Sequence, residues 1–295
     1  MGSDEAWTTR RLLGWTTERF TRAGVDSPRV AAEMLLGFVL GVERLRLYME
    51  PDRPASAAER ERFRGLVRRA AGHEPVDYLV GQAPFFGLEL AVSPAVLIPR
   101  PSTETIVERV LQDERGRERR DGLRVLDVGT GSGAIAVALA KHLPGVSVVA
   151  TDVSEAALAV AEANAETHGV AERIDFRGGG LYGPVAGERF DWVLSNPPYI
   201  SDAEWADVLP NVAEHEPVGA LRAGADGLDV LRPLIAGAAG HLLPGGRVLF
   251  EHSFSQGGAT RSLAAAAGGA GGLRDAETLK DHEGLDRVLL AGSAA

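Results

Sequence analysis

Cysteine is absent from the sequence, and with it go disulfides, thiolate zinc sites and cysteine nucleophiles. Long apolar runs are missing too. No stretch approaches the about 18 consecutive apolar residues of a membrane-spanning helix, and Met1 to Arg11 carries no apolar signal segment. We therefore expect a cytoplasmic protein with no membrane partner. The seven histidines are scattered, without the spacing of metal ligands, and no metal site is expected. Positive charge is in short supply: 31 Lys and Arg stand against 41 Asp and Glu, a net charge of −10. That balance disfavours a broad nucleic-acid surface, DNA included, or an anionic-membrane surface. The shortage is uneven. Residues 1–80 hold 13 Arg and no Lys against 12 acidic residues, a net +1 that leaves −11 for the remainder. A near-neutral, Arg-rich N-terminal part can contact a partner that the acidic remainder would not attract.

What is present centres on Asp191-Trp192-Val193-Leu194-Ser195-Asn196-Pro197-Pro198-Tyr199-Ile200. The apolar run from Trp192 to Leu194 reads as a short buried strand. It must end at the two prolines, which supply no N–H donor and fix φ near about −65°. The stop presents the Asn196 carboxamide, carbonyls held stiffly by Pro197 and Pro198, and the Tyr199 ring. Together these suit a planar amide or amine. The carbonyl oxygens accept its N–H hydrogens, the ring lies against its face, and its nitrogen lone pair points outward. Acceptors held rigidly against developing charge need little reorganisation during a reaction. A plain proline-rich turn accounts for the prolines but requires neither the Asn before them nor the Tyr after.

At 295 residues, 45% hydrophobic and 24% charged, the chain is long enough for about two domains with sizeable cores. Residues 1–74 read as a helical domain. A first helix covers 8–22, Ser27-Pro28 is an N-cap with a first-turn proline, and Ser56-Ala57-Ala58-Glu59 is a capping box. Behind that box Phe63, Leu66, Val67 and Ala70 form a buried stripe. Arg60, Arg62, Arg64, Arg68 and Arg69 make either a partner-docking face or a solvated helix surface. Residues 75–111 form a hairpin and linker, with strands near 82–86 and 88–92. Pro99-Arg100-Pro101 forces an extended segment, after which Ser102 or Thr103 starts a helix through Leu111. Arg100 and Glu104 either pair with each other or line the mouth of a site.

Residues 112–295 form the third part, opening on an exposed charged connector over 112–122. From Arg124 strands and helices alternate. Strands are predicted at 124–128, 147–151, 173–176, 191–195, 247–251, 276–279 and 287–291, and helices at 134–141, 155–168, 228–242 and 256–267. Residues 264–272, rich in Gly and Ala, read as a loose helix exit. The fold class is therefore α/β, a doubly wound, mostly parallel sheet covered on both faces, with an antiparallel pair at the end of the chain.

Gly129-Thr130-Gly131-Ser132-Gly133 lies between an apolar strand and an apolar helix. Glycines there allow a tight turn and the close approach of a ligand. The helix offers its N-terminal N–H groups to a carboxylate or phosphate. Asp152 stands nineteen residues after Gly133, at the end of the next strand, where a carboxylate can accept both hydroxyls of a ribose. The pair indicates an adenosine-containing ligand. Two details turn away from a dinucleotide. The third glycine comes one place early for G-x-G-x-x-G, and Asp127 just ahead of the loop would repel a pyrophosphate. An acidic residue there suits the amino group of a methionine moiety bearing a sulfonium, so S-adenosylmethionine fits better. The strand that delivers residues 196–199 ends at the same carboxyl edge, where methyl donor and amide clamp would meet. No general base stands out, and His252 beside Glu251 reads as structural.

With these residues in place, the sequence resembles the release factor glutamine methyltransferases, the HemK/PrmC family of class I methyltransferases. The resemblance spans nearly the whole chain. It rests on Leu97-Ile98-Pro99-Arg100-Pro101, residues 125–133, residues 196–200, Glu216-Pro217 with Ala220-Leu221, Asp226-Gly227-Leu228, and Leu249-Phe250-Glu251-His252, in this order behind a helical N-terminal part. It implies a class I methyltransferase sheet, S-adenosylmethionine as donor and S-adenosylhomocysteine as product. By the resemblance, Gly129, Thr130, Gly131, Ser132 and Gly133 hold the methionine end with Asp127 close by. Asp152 holds the ribose, and Val153, Leu181 and Asn196 complete the donor set. Asn196 hydrogen-bonds the target glutamine amide with the Pro197 carbonyl as second acceptor, and Tyr199 packs on the amide plane. Pro198, Arg100 and Glu104 complete the substrate set. The family's substrate is the glutamine of a Gly-Gly-Gln loop in a peptide chain release factor, gripped by the N-terminal helices, and a monomer is expected.

Two positions depart from the family's pattern. After the third strand, where the family has an acidic residue next to an aromatic, this chain has Arg177-Gly178-Gly179-Gly180-Leu181. The adenine then loses a side-chain acceptor and a stacking ring, and Leu181 or backbone must serve. The family's Pro-Arg-Pro is followed by Asp or Glu, here by Ser102. These departures keep two other readings open, a relative recruited to N-methylate a small molecule or another protein, and a non-catalytic binding module. A DNA adenine methyltransferase shares Asn-Pro-Pro-Tyr but is disfavoured by the acidic catalytic half.

Overall fold

Thr8 caps the first helix by accepting the Arg11 N–H, and Gly24 ends it in the left-handed conformation, giving α1 (Thr9–Ala23). The computed structural model describes residues 6–115, 122–267 and 272–293. It divides into two units, Met1–Gln82 with Leu209–His215, and Ala83–Val208 with Glu216–Ala295. In the first unit α1 is followed by α2 (Pro28–Leu40), α3 (Arg44–Met49), α4 (Ala57–Ala70) and α5 (Val76–Val80). Leu12, Leu13 and Phe20 of α1 share one buried cluster with Leu35 and Leu36 of α2 and Phe63 and Val67 of α4. Both halves of the Ser56–Glu59 capping box form. Ser27 does not cap α2 with its side chain, contrary to expectation. It sits at φ 42°, its N–H donating to the Asp26 carboxylate at 2.8 Å, and Pro28 alone presets the first turn.

The chain continues through β1 (Gln82–Phe85) and β2 (Leu88–Ala91), which pair as the expected hairpin. A 3-10 turn over Pro101–Thr103 leads into α6 (Glu104–Arg115). This helix runs past Leu111, and the first residues of the expected free connector are anchored instead. Asp113 accepts from Arg247 at 2.6 Å, and Glu114 accepts from the Trp192 indole at 2.9 Å. Residues 116–121 of that connector, and 268–271 of the Gly/Ala-rich helix exit, lie outside the described residues.

Next come β3 (Arg124–Val128), α7 (Ala134–His142), β4 (Ser147–Asp152), α8 (Glu155–Thr167), β5 (Ile174–Gly178) and β6 (Phe190–Ser195). The short α9 (Pro210–Ala213) belongs to the segment grouped with the helical unit. Then follow α10 (Leu231–Ala238), β7 (Leu242–Glu251), α11 (Gly257–Ala266), β8 (Arg274–Lys280) and β9 (Asp286–Gly292). The seven strands order as β5-β4-β3-β6-β7-β9-β8. Neighbours are parallel from β5 to β7, and β9 runs antiparallel to both β7 and β8. The largest departures from expectation fall together: the helix expected over 228–242 spans only Leu231–Ala238, and β7 begins at Leu242, ahead of Arg247.

The strands are apolar on both faces because both are covered. Val125, Trp192, Leu194 and Leu249 pack with Ile106 and Val107 of α6 and the apolar face of α7. Leu126, Val193, Val248 and Phe250 pack with Leu231, Leu234 and Ile235 of α10 and Ala264 of α11. From β3 the chain winds outward to β4 and β5, then returns to place β6 on the other side of β3. Ligands bind at such a switch point, outside the carboxyl ends of the strands. No helix among the described residues is long and apolar enough to cross a membrane.

Candidate active site

Beyond β3 the chain makes its glycine turn against the end of β4. The Gly129 and Thr130 N–H groups both donate to the Thr151 carbonyl, at 2.8 and 2.9 Å. Asp152 accepts the Gly131 N–H through Oδ2 and the Ser154 N–H through Oδ1, each at 2.9 Å. Its carboxylate therefore shapes the turn and still has a lone pair left on each oxygen. Gly133 stands at φ 80°, where an added Cβ would lie 3.1 Å from Ala161 Cβ and 3.3 Å from Val137 Cγ2. Asn164 of α8, which sequence reasoning passed over, donates to the Ser132 carbonyl at 2.8 Å. It also exchanges bonds with the Ala91 backbone, tying β2 to the turn. A polar amide in an otherwise Ala-rich helix was the available signal.

Asp127 lies fully buried, its Oδ2 accepting the Thr130 hydroxyl at 2.7 Å. Burial pushes its pKa up to about 7, with the Thr130 bond pulling the other way.

The strand stop is braced from behind. Asn196 Nδ2 donates to Thr103 Oγ1 at 2.9 Å, and the Thr103 hydroxyl donates to Glu251 Oε2 at 2.6 Å. Glu251 is fully buried and also receives the hydroxyls of Ser102 at 2.9 Å and Tyr199 at 3.3 Å. Burial raises its pKa above the ordinary carboxylate range. Burial likewise raises that of Tyr199, whose ring packs against the layer beneath α10. Gln256, another residue missed from sequence, donates to the Tyr199 carbonyl at 3.0 Å and accepts the Ser253 N–H at 2.9 Å. Its place just before a helix gives no local sign of this role.

Arg100 and Glu104 do not pair with each other. Arg100 donates to buried Glu216, whose other oxygen accepts the Ile98 N–H at 3.1 Å, and Glu104 accepts the Phe86 N–H at 2.7 Å. His252 is buried, with Nδ1 bonded to the Ser253 carbonyl at 2.8 Å.

A cavity of about 420 Å³ opens at this edge, within the size range of small-molecule sites. Its wall brings together Gly129, Thr130, Gly131, Ser132, Asp152, Val153, Leu181, Asn196, Pro197 and Pro198, with Thr103, Leu97 and Pro99 alongside. Asp127, Gly133, Tyr199, Arg100 and Glu104 do not line it. At the departure after β5, Arg177 turns to Asp175 and Glu188, and Gly179, Gly180 and left-handed Leu181 (φ 49°) face the cavity. Among the described residues no donor reaches Asn196 Oδ1 or the Pro197 carbonyl. Nor does any group of three His, Asp or Glu stand where it could hold a metal ion.

The sheet order and a cavity at the switch point define a methyltransferase fold. Its likeness to the catalytic domain of hMettl16, solved in complex with a MAT2A 3′UTR hairpin, is one of fold. The two are 17% identical with a TM-score of 0.54, over 71% of this chain and 75% of that one. Residues 103–215 match the methyltransferase small domain and residues 11–81 the PrmC N-terminal domain. The release factor glutamine methyltransferase of Geobacter sulfurreducens is 41% identical over 285 residues, 97% of this chain and 96% of that protein. The protein of the same name from Xylella fastidiosa strain Temecula1 is 45% identical, over 95% of this chain and 96% of that protein. The chain belongs to the release factor glutamine methyltransferase family.

Proposed function

We infer that this protein transfers a methyl group from S-adenosylmethionine to the side-chain amide nitrogen of a glutamine, the one in the Gly-Gly-Gln loop of a peptide chain release factor. One observation carries this reading. Two open acceptors, Asn196 Oδ1 and the Pro197 carbonyl, share a single cavity with the glycine turn and Asp152. The residues present fit the donor. Asp152 has lone pairs left for ribose hydroxyls, and the glycine turn opens the start of α7 to a carboxylate. Asp127 beneath Thr130 favours a nearby ammonium, and Val153 and Leu181 give an apolar wall for the purine. When bound, S-adenosylmethionine supplies a methyl carbon on a positively charged sulfur.

The chain's own residues then act on the amide. Asn196 and Pro197 accept its two N–H hydrogens, hold its plane and leave the nitrogen face turned into the cavity. A neutral amide nitrogen is a poor nucleophile, so alignment and acceptors that draw on the N–H groups supply the acceleration; as the N–CH₃ bond forms and the donor's S–CH₃ bond breaks, one of the two amide protons leaves to solvent. Tyr199, its hydroxyl held by Glu251 and its ring packed into the core, fixes the far end of the clamp. The helical unit binds the release factor. Its near-neutral charge, and Leu45, Tyr48 and Met49 exposed on α3, suit a protein partner better than DNA. One chain supplies every wall of the cavity, so a monomer suffices, working in the cytoplasm where release factors act.

The test is mass spectrometry of a release factor incubated with the protein and S-adenosylmethionine. A gain of about 14 Da on the Gly-Gly-Gln glutamine is expected. An unmodified release factor beside a methylated small amide or amine would move the assignment to a small-molecule acceptor.

A further inference from the structure

Behind Asn196, three hydroxyls converge on a single buried carboxylate. Glu251 accepts from Thr103, Ser102 and Tyr199, and among the described residues no Lys or Arg forms an ion pair with it. The nearby Arg287 guanidinium bonds to Asp281 instead. The hydroxyls are thus what hold the Glu251 carboxyl group, and Ser102, at one of the two sequence departures, supplies one of them.

This arrangement has a direction. Each of the three hydroxyls directs its one proton to a Glu251 oxygen. Thr103 does so at 2.6 Å, which leaves its oxygen nothing but lone pairs to offer Asn196. Only an NH₂ group satisfies that oxygen, and Asn196 Nδ2 lies 2.9 Å away. Turning the carboxamide by half a rotation would set two acceptors face to face. A carboxamide's two ends differ by a single heavy atom and are told apart only by such a network.

We propose that Thr103 and Glu251 are positioning residues that orient the Asn196 carboxamide. A one-way series of hydrogen bonds from Asn196 through Thr103 to Glu251 aims Oδ1, and not the NH₂ group, at the acceptor amide. The proposal rests on the amide-methylating function inferred above. Reversed, the carboxamide would meet the substrate N–H hydrogens with hydrogens of its own, and the clamp would repel the group it is built to hold.

The paired substitutions Thr103→Val and Thr103→Ser separate orientation from packing. Valine keeps the branched shape and loses the oxygen, whereas serine keeps the oxygen and loses the methyl. With full-length protein and a release factor, Thr103→Val should lower kcat by about 100-fold, the scale of one lost preorganised hydrogen-bonding group. Its donor affinity by calorimetry should change less than about threefold, and Thr103→Ser should stay within about fivefold of the unmodified protein. The opposite order, valine tolerated and serine impaired, would overturn the proposal and assign Thr103 to packing. A second readout needs no turnover. In ¹⁵N-labelled protein one Asn196 side-chain proton should exchange with water at least about tenfold more slowly than a free amide, and lose that protection in Thr103→Val. Rapid exchange of both protons in the unmodified protein overturns the proposal. If the unmodified protein methylates no release factor, the functional reading fails, and the exchange measurement alone decides the orientation.

Discussion

The Ser195 hydroxyl donates to the Val128 carbonyl at 2.7 Å. This bond ties the end of β6 to the end of β3 at the point where one chain enters the glycine turn and the other enters the proline stop. The strands run parallel and in register up to it, with Asp127 opposite Leu194. Two segments more than sixty positions apart therefore reach one cavity at a fixed separation, which alignment of two reactants requires.

Asp152 does two jobs, bracing the Gly131 N–H and offering lone pairs to the cavity. Asp152→Ala should weaken S-adenosylmethionine binding by roughly 1–3 kcal/mol, the cost of unpaired hydroxyls and a loosened turn. Isothermal calorimetry reads this directly, and an unchanged Kd would move the ribose elsewhere.

Gly227 sits at φ 72° beneath the clamp, and an added Cβ would fall 2.2 Å from the Tyr199 carbonyl and 2.6 Å from Gln256 Nε2. Gly227→Ala must push that backbone aside as well as adopt a left-handed conformation. We expect a stability loss of about 2–3 kcal/mol in urea and a turnover loss larger than any loss of donor affinity. Wild-type turnover in this variant would show that the clamp tolerates displacement.

Asp127 gives a pH signature. Its carboxyl ionises at about 7 when folded, against an ordinary 3.8. Below the ordinary value it is protonated in both states. As pH rises from there to about 7, the unfolded chain loses a proton that the folded one keeps, so stability falls, and above 7 the loss is complete. Asp127→Asn cannot ionise. Its stability relative to the parent should climb by on the order of 2–4 kcal/mol between about pH 4 and 8 in denaturant titrations. Parallel curves would contradict the buried, perturbed carboxyl.

Much of this site was legible in the sequence because its chemistry is local. The glycine turn, Asp152 and the Asn-Pro-Pro-Tyr stop each combine a strand end with residues that dictate backbone conformation, and the alternation of elements set the sheet. Side-chain partners were not legible. Arg100 and Glu104 read as a pair or as the mouth of a site. Arg100 instead finds Glu216, 116 positions away, and Glu104 accepts the Phe86 N–H. The Thr103–Glu251 bond spans 148 positions, and periodicity reports which face a residue occupies, not what it meets there. Ser27 looked like a cap by residue type, yet its backbone adopted a conformation in which its hydroxyl makes no cap bond.

The most direct measurement of the account is methyl transfer to a release factor by Asn196→Ala, quantified by mass spectrometry beside donor calorimetry on the same sample. The carboxamide oxygen is the substrate's acceptor in this account, so turnover should fall by at least about 100-fold while donor Kd moves by less than about threefold. Methylation at the parent rate would mean that the planar nitrogen group is held somewhere else.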